Sequence, residues 1–161
     1  MKTTTAWTVL GAVAMLAACR GNPVKEDVTA FETAAKALLG RVNEAREALS
    51  SEARQTRGGT EADLKAAGTA VKDKVLPKLD AVLKDLDALP IRTPEVQALA
   101  RKLGHALRLE REYFAGTADA LESGDQAAMG SAKKKSQAAA TAIEEWETDL
   151  KNLGGLHGLR L

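Results

Sequence analysis

Apolar residues recur at spacings of three and four along four long segments of the chain, and this repeat restricts the fold more than any other feature. Such spacing places the apolar side chains on one face of an α-helix. No segment shows the strict alternation of a half-buried strand. The four stripes are Val28, Phe31, Ala35, Leu38, Val42, Ala45 and Leu49; Leu64, Ala67, Val71, Val75, Leu79, Val82 and Leu86; Val96, Leu99, Leu103, Leu107, Phe114 and Leu121; and Met129, Ala132, Ser136, Ala139, Ile143, Trp146, Leu150 and Leu153. The sequence therefore predicts four long helices.

The segments between the stripes carry the signals that end one helix and start the next. Thr60 is a good helix cap, and Pro94 suits the first turn of a helix. Gly124 is expected to end the third helix, and the pair Gly154–Gly155 the fourth. Because the joints are short, consecutive helices should pack as antiparallel neighbours. The predicted fold is all-α, an up-down-up-down antiparallel four-helix bundle over residues 24–155.

Antiparallel hairpins with short joints allow the heights of residues along the bundle to be estimated. One large side chain from each helix is expected in a central layer: Leu38, Leu79, Leu103 and Trp146. Phe114 is expected to lie level with Leu49 and Gly68. Glycine inside a helix costs about 1 kcal/mol relative to alanine, and room for the Phe114 ring is the expected reason for Gly68.

The first eighteen residues have the layout of a secretory signal. Lys2 precedes an apolar run from Ala6 to Leu16, and small residues follow. The run is shorter than the about 20 residues that span a membrane. Cys19, which comes directly after this segment, is the only cysteine in the chain. Residues 1–18 are therefore interpreted as a removable signal peptide.

The stretch "LAAC" at 16–19 resembles the lipobox of bacterial lipoproteins. The resemblance implies that the Cys19 thiol carries a lipid with acyl chains such as palmitate, and that residues 19–23 form a short tether. Several acyl chains anchor a protein stably because each buried methylene contributes about 0.8 kcal/mol. Arg20, rather than aspartate, follows the cysteine. In this family that choice favours the outer membrane, facing the periplasm of a Gram-negative cell. The alternative is an ordinary signal peptide with a chance cysteine.

The charge balance and the histidines argue against several classes of function. Without Lys2 the chain has 22 basic and 22 acidic side chains, whereas nucleic-acid binding needs a basic excess or a basic face. His105 is expected to point to solvent. Neither it nor His157 has the glutamate three positions earlier that di-iron bundles need. We therefore expect no nucleic acid, no metal, no cofactor and no enzymatic activity.

Glu110, Tyr113 and Pro77 are the candidate residues for a ligand site or a polar core site. Glu110 lies within the third apolar stripe, where a buried carboxylate needs a partner, and Lys72 is the expected one. Tyr113 and Ser136 are expected at a similar height. The alternative is that Glu110 lies at the flank of the stripe and reaches water. Pro77 should kink the second helix, which would either bend it around a partner or open the core to a ligand.

The favoured function is that of a lipid-anchored, non-enzymatic envelope lipoprotein that serves as a protein-interaction or structural bundle. The segments "TPEVQALARKLGHAL" and "AIEEWETDLKNL" are also loosely similar to small helical envelope lipoproteins, which implies no known activity. The expected partners are the membrane, through Cys19, and an envelope protein. The alternative is a carrier or sensor of a small apolar ligand near Pro77, which an apolar cavity above roughly 300 Å³ would favour. Residues 156–161 are expected to form a tail at the membrane-facing end, with its leucines in the membrane interface or frayed.

Overall fold

The computed structural model describes residues 22–55 and 59–161, so the signal segment, Cys19 and Arg20 lie outside the described residues. Within these ranges the regular structure is entirely helical. The elements are α1 (Pro23–Gln55), α2 (Glu61–Ala70), a π-helical turn (Val71–Val75), α3 (Leu76–Asp87), α4 (Pro94–Ser123) and α5 (Gln126–Leu156). The α2 helix, the π turn and α3 follow one another without a break and form the predicted second helix. The all-α prediction with four helices is therefore confirmed.

The predicted stripes form the core almost residue for residue. Every member of the first stripe is buried, and the second and third stripes are buried except for the half-buried Leu64 and Leu121. The fourth stripe begins later than predicted, because Met129 is 38% exposed. From Ala132 onward its residues are buried or half-buried. Spacing alone therefore identified which face of each helix packs inward.

The predicted boundaries hold at the start of α2 and at the end of α4, but not at the end of α5. Thr60 and Asp63 form a reciprocal capping box at the start of α2. Gly124 ends α4 in the left-handed conformation, with φ of 68°. The prediction that Gly154 and Gly155 end the last helix is wrong, since α5 continues to Leu156. The left-handed residue that follows it is Gly158, with φ of 71°.

Pro77 is accommodated by the π turn that precedes it. Proline lacks an N–H and its ring collides with the carbonyl four residues earlier in a regular helix. One wide turn before the proline moves the chain out of that geometry, and the Leu76 N–H accordingly bonds to the Val71 carbonyl. Val71 and Val75 on the turn are both buried in the core, while Pro77 itself is exposed. The irregularity is therefore a packed turn, and Pro77 lies on the outer surface.

The second helix lies about two to three turns further along its neighbours than the hairpin estimate predicts. Lys72, expected beside Glu110, instead pairs with Asp119 and Glu122 at 2.8 and 2.7 Å. Hydrogen bonds to Asp119 and Glu122 raise the pKa of Lys72. A Cβ on Gly68 would lie 2.6 Å from the Ala118 carbonyl oxygen. The predicted reason for this glycine is therefore wrong, because it makes room for the α4 backbone and not for Phe114.

The shift arises at the connector between α3 and α4, which is pinned to the start of α1. The Asp27 carboxylate is buried and accepts hydrogen bonds from the backbone N–H groups of Arg92 and Thr93, at 2.8 and 2.7 Å. Burial alone would raise the pKa of Asp27, but these backbone hydrogen bonds outweigh it and lower the pKa below its ordinary value. The connector ends in extended backbone at Thr93, with φ of −95° and ψ of 139°, and this strap places the start of α4 well beyond the end of α3.

Replacing Asp27 with alanine is expected to lower the free energy of unfolding by about 1–3 kcal/mol at pH 7, because the Thr93 N–H is then left buried without an acceptor. The lowered pKa means that this stabilisation is complete above the ordinary carboxyl pKa of about 4 and is lost as the pH falls through the folded-state value. Urea unfolding at several pH values measures it. The exposed neighbour Glu26→Ala is the control, with an expected change within about 0.5 kcal/mol. A gap between wild type and Asp27→Ala that widens in acid would contradict this role.

Candidate functional site

The edge between α1 and α5 is the loosely packed side of the molecule. The α4 and α5 helices pack against each other extensively, and the continuous helix made of α2, the π turn and α3 packs on α1 and α4, whereas α1 and α5 touch only sparsely. Two cavities open along this edge at different heights, and both have α1 and α5 as walls. We call them together the α1–α5 groove, with a polar end that contains Glu110 and an apolar end that contains Trp146.

The polar end of the groove is a cavity of about 380 Å³ built around an ion pair. The Arg46 Nε donates to Glu110 Oε1 at 2.6 Å, and its Nη1 donates to Asn43 Oδ1 at 3.0 Å. The Glu110 side chain is buried, while 45% of the Arg46 side chain is exposed. The exposed part of this ion pair is therefore the Arg46 side chain, while the Glu110 carboxylate is buried beneath it.

Hydroxyl groups surround this ion pair. Tyr113, Ser136 and Ser50 line the same cavity. The Tyr113 ring packs edge-on against Phe114, with ring centroids 5.3 Å apart, which fixes its orientation. Within the described residues, none of the three hydroxyl groups has a hydrogen-bond partner. The polar end therefore presents free donors and acceptors beside a guanidinium group, which suits the recognition of a polar surface.

The structure brings together two of the three predicted site residues. Glu110 and Tyr113 line the polar end, as does Ser136. Pro77 lies on the exposed surface of α3 and is not part of this cavity, and the expected partner Lys72 is engaged elsewhere. The residue that sequence reasoning missed is Arg46. The estimate that Leu49 lies level with Phe114 already places the residues one turn earlier, Arg46 and Glu110, level with each other.

The Arg46–Glu110 pair is expected to show strong coupling in a double-mutant cycle. Arg46→Met leaves the Glu110 carboxylate buried without its partner and should cost about 1.5–3 kcal/mol, the range for a hydrogen bond to a charged group. Glu110→Leu should cost less, because it also removes the carboxylate. The double variant should therefore resemble Glu110→Leu alone. Urea unfolding of all four proteins measures the coupling, and additive effects would contradict the pair's role.

The apolar end of the groove is a cavity of about 270 Å³ next to Trp146. Its apolar walls come from Leu39, Trp146, Leu150 and Leu161, and its rim carries Glu32, Lys36, Glu147 and Lys151. Trp146 is 3% exposed and packs edge-on against Phe31, with centroids 6.2 Å apart. Its buried Nε1 has no hydrogen-bond partner in the described part of the chain. The groove thus changes from polar to apolar along its length.

The C-terminal tail is part of this apolar end and is neither frayed nor free for a membrane. Leu159 and Leu161 pack against the core, and Leu156 alone remains largely exposed, at 83%. The His157 Nδ1 atom lies 2.9 Å from the Asn22 Nδ2 atom. The packing of Leu159 and Leu161 therefore differs from both alternatives that the sequence left open, a frayed tail and a tail whose leucines all enter the membrane interface. The missed signal is Gly154, whose missing side chain leaves the space that Leu161 occupies.

The remaining expectations about function classes concern histidines and membrane spans. His105 is exposed on α4, as predicted. Within residues 22–55 and 59–161, no cluster of three or more histidine, aspartate or glutamate residues is arranged to hold a metal ion. Among the helices of the same ranges, none is both long and apolar enough to cross a bilayer.

The fold and the groove define a small all-helical protein with an open edge between its first and last helices. A family model described as "Uncharacterised lipoprotein PM1805" matches residues 25–154. The chain belongs to this lipoprotein family, which confirms the prediction of a lipoprotein and is consistent with lipid anchoring at a membrane, while the matched residues do not include Cys19. No curated protein and no solved structure matches the chain.

Proposed function

We propose that the protein is a non-enzymatic, lipid-anchored envelope lipoprotein that binds a partner protein through the α1–α5 groove. The observation that carries this proposal is the composition of the groove. Its surface residues include Arg46 and Tyr113, and arginine and tyrosine are among the residue types that dominate the energetics of protein interfaces. They lie on the edge where the helices of the molecule itself pack least, so a partner segment there would extend the core.

The chemistry of the groove favours binding over catalysis. The single buried carboxylate of the groove, Glu110, is paired with Arg46. A carboxylate held in an ion pair is a poor general base. The residues that line the two ends include neither histidine nor cysteine. The alternative, a carrier of a small apolar ligand, is less favoured. The apolar end, at about 270 Å³, is smaller than typical ligand sites of about 300–1,000 Å³, and Pro77 lies outside it.

We infer that the four helices run alternately up and down, as the sequence predicts. Support comes from ion pairs whose members run in opposite directions on neighbouring helices. Between α3 and α4, Arg111 pairs with Asp80 and Arg108 with Asp87. Between α4 and α5, the pairs are Lys102–Asp149 and Lys135–Glu112. This arrangement brings the start of α1 and the end of α5 to the same end of the molecule.

The inferred arrangement also gives an orientation at the membrane. Asn22 contacts His157, and Asp27 binds the 88–93 connector, so these segments share one end of the bundle. Cys19 precedes Asn22 by only three residues, and a chain spans at most about 3.6 Å per residue. We propose that this end faces the membrane, which is the outer membrane on the periplasmic side in view of Arg20.

Spin labels at Arg92 and Gly124 test the orientation in lipid-anchored samples. The label at Arg92 should respond more strongly to a relaxation agent that partitions into the bilayer, because Gly124 lies at the opposite end of α4. The measurement is the ratio of the two accessibilities. Equal values, or a stronger response at Gly124, would overturn the orientation.

Partner binding is tested by blocking the groove without disturbing the core. Ala140 is exposed and lines the polar end, so Ala140→Arg fills the groove with a long charged side chain. Ala81 is an exposed alanine on α3, and Ala81→Arg is the matched control. Lipidated proteins are crosslinked in native membranes, purified and compared by quantitative mass spectrometry. A partner captured by wild type and by Ala81→Arg should fall at least tenfold with Ala140→Arg. Equal recovery in all three samples would contradict the proposal.

A further inference from the structure

The apolar end of the groove is partly filled by the last residue of the chain itself. Leu161 lies in the cavity with Trp146 and Leu150, and about 270 Å³ remains open beside it. The place for Leu161 is built into α5, since a Cβ on Gly154 would overlap its side chain and lie 2.7 Å from its Cγ. The groove therefore already binds a leucine side chain from a non-helical segment, and it has room for more.

We propose that the apolar end is a binding site for a leucine-type side chain on a non-helical segment of the partner protein, which takes the place of Leu161. This inference rests on the proposed function and specifies what the partner presents. The tail of the chain is an intramolecular competitor that occupies the site until the partner segment displaces it.

The charges at the rim favour a protein segment as the occupant. Glu32 and Glu147 alternate with Lys36 and Lys151 around the cavity, so the rim has no excess of either sign. An anionic lipid would gain from a basic rim, whereas a peptide with side chains of both signs matches a mixed one.

Residues 158–161 are held by two backbone hydrogen bonds, from the Gly158 N–H to the Gly155 carbonyl and from the Leu159 N–H to the Gly154 carbonyl, and by the packing of Leu159 and Leu161, so a competing segment must replace these contacts. The Leu159 hydrogen bond measures 2.9 Å, and His157 contacts Asn22. Gly158, with φ of 71°, lies between these two attachments and can act as a hinge, since glycine readily adopts other backbone conformations. Only the last four residues need to move, while α5 and the rest of the groove stay in place.

The experiment uses the chain's own tail as a probe in trans. A fluorescein-labelled peptide of residues 155–161, "GLHGLRL", is titrated into the full-length Leu161→Ala protein, in which the site is vacated, and into wild type. Binding is followed by fluorescence anisotropy. Leu161→Ala should bind at least tenfold more tightly than wild type, because its own tail no longer competes. A peptide that ends in alanine should bind at least tenfold more weakly. The protein variant Leu156→Ala, which changes an exposed leucine of the same tail, is the matched control and should behave as wild type.

Three results would overturn the inference. The first is no peptide binding to a Leu161→Ala protein whose helical circular dichroism is intact. The second is equal binding to wild type and Leu161→Ala. The third is displacement of the peptide by dodecanoate at equimolar concentration, which would assign the site to acyl chains. Should any of these occur while Ala140→Arg still abolishes partner capture, the groove remains a protein-binding site and only this assignment of its apolar end is lost. If Ala140→Arg also leaves partner capture unchanged, the proposed function is contradicted as well.

Discussion

Replacing Trp146 with alanine is expected to lower the free energy of unfolding by about 3–5 kcal/mol, the usual cost of deleting a large buried aromatic side chain. The indole ring is 3% exposed and packs edge-on against Phe31, so the substitution removes both the α5 contribution to the core and an aromatic contact across to α1. Urea unfolding followed by circular dichroism measures the effect.

Two control variants separate packing from the polar atom of the indole. Trp146→Phe keeps an aromatic ring but removes the unpartnered Nε1, and it should cost clearly less than alanine. Leu156→Ala, at an exposed position on the same helix, should change stability by no more than about 0.5 kcal/mol. A loss below about 1 kcal/mol for Trp146→Ala would mean that α5 does not pack in the described register.

Cys19→Ser is expected to abolish lipid attachment and with it membrane association. The thiol is the only one in the chain, and the substituted hydroxyl does not form the thioether that the lipoprotein resemblance implies. Even a single acyl chain binds membranes only weakly. Loss of the whole lipid group should therefore release the protein from the membrane or leave its signal peptide uncleaved. Membrane fractionation combined with metabolic acyl labelling measures both effects. Arg20→Ala, which keeps the thiol, is the control and should remain labelled. Unchanged labelling of Cys19→Ser would rule out the anchor.

The core was predictable because it depends on local periodicity. A spacing of three and four leaves one apolar face on each helix, and burial of residues such as Phe31, Leu103 and Trp146 followed directly. Register across the bundle was less predictable, because it depends on the connectors. The estimate assumed compact turns, whereas the 88–93 strap is extended and pinned to Asp27. Leu79 is buried as expected, but Leu86 is the side chain from α3 that approaches Gly104, one residue beyond Leu103.

The errors in register were systematic, which explains why part of the site was still recoverable. The second helix is shifted in the same sense against α1, where Arg41 pairs with Asp85, and against α4. The two shifts cancel between α1 and α4, so the expected proximity of Leu49 and Phe114 applies to the neighbouring Arg46 and Glu110 as well. Lys72 failed as the partner of Glu110 because it belongs to the shifted helix.

The tail could not be predicted from periodicity at all. Its six residues contain too little repeat to indicate a packed conformation, and the glycine pair that precedes it usually marks a helix end. The deciding feature is a contact between residues seven apart, Gly154 and Leu161, in which a missing side chain on one makes room for the other. Such a steric match becomes visible only in three dimensions.

Site-specific photo-crosslinking in native membranes tests most directly the claim that a partner protein occupies the α1–α5 groove. A photoreactive amino acid is placed at the exposed positions Ala140 and Lys151, which line the two ends of the groove, and at Ala81 and Lys78, exposed on α3. Both groove positions are expected to crosslink to the same protein, and neither α3 position is. Equal crosslinking from α3, or none from the groove in a membrane fraction that retains the partner, would contradict the claim.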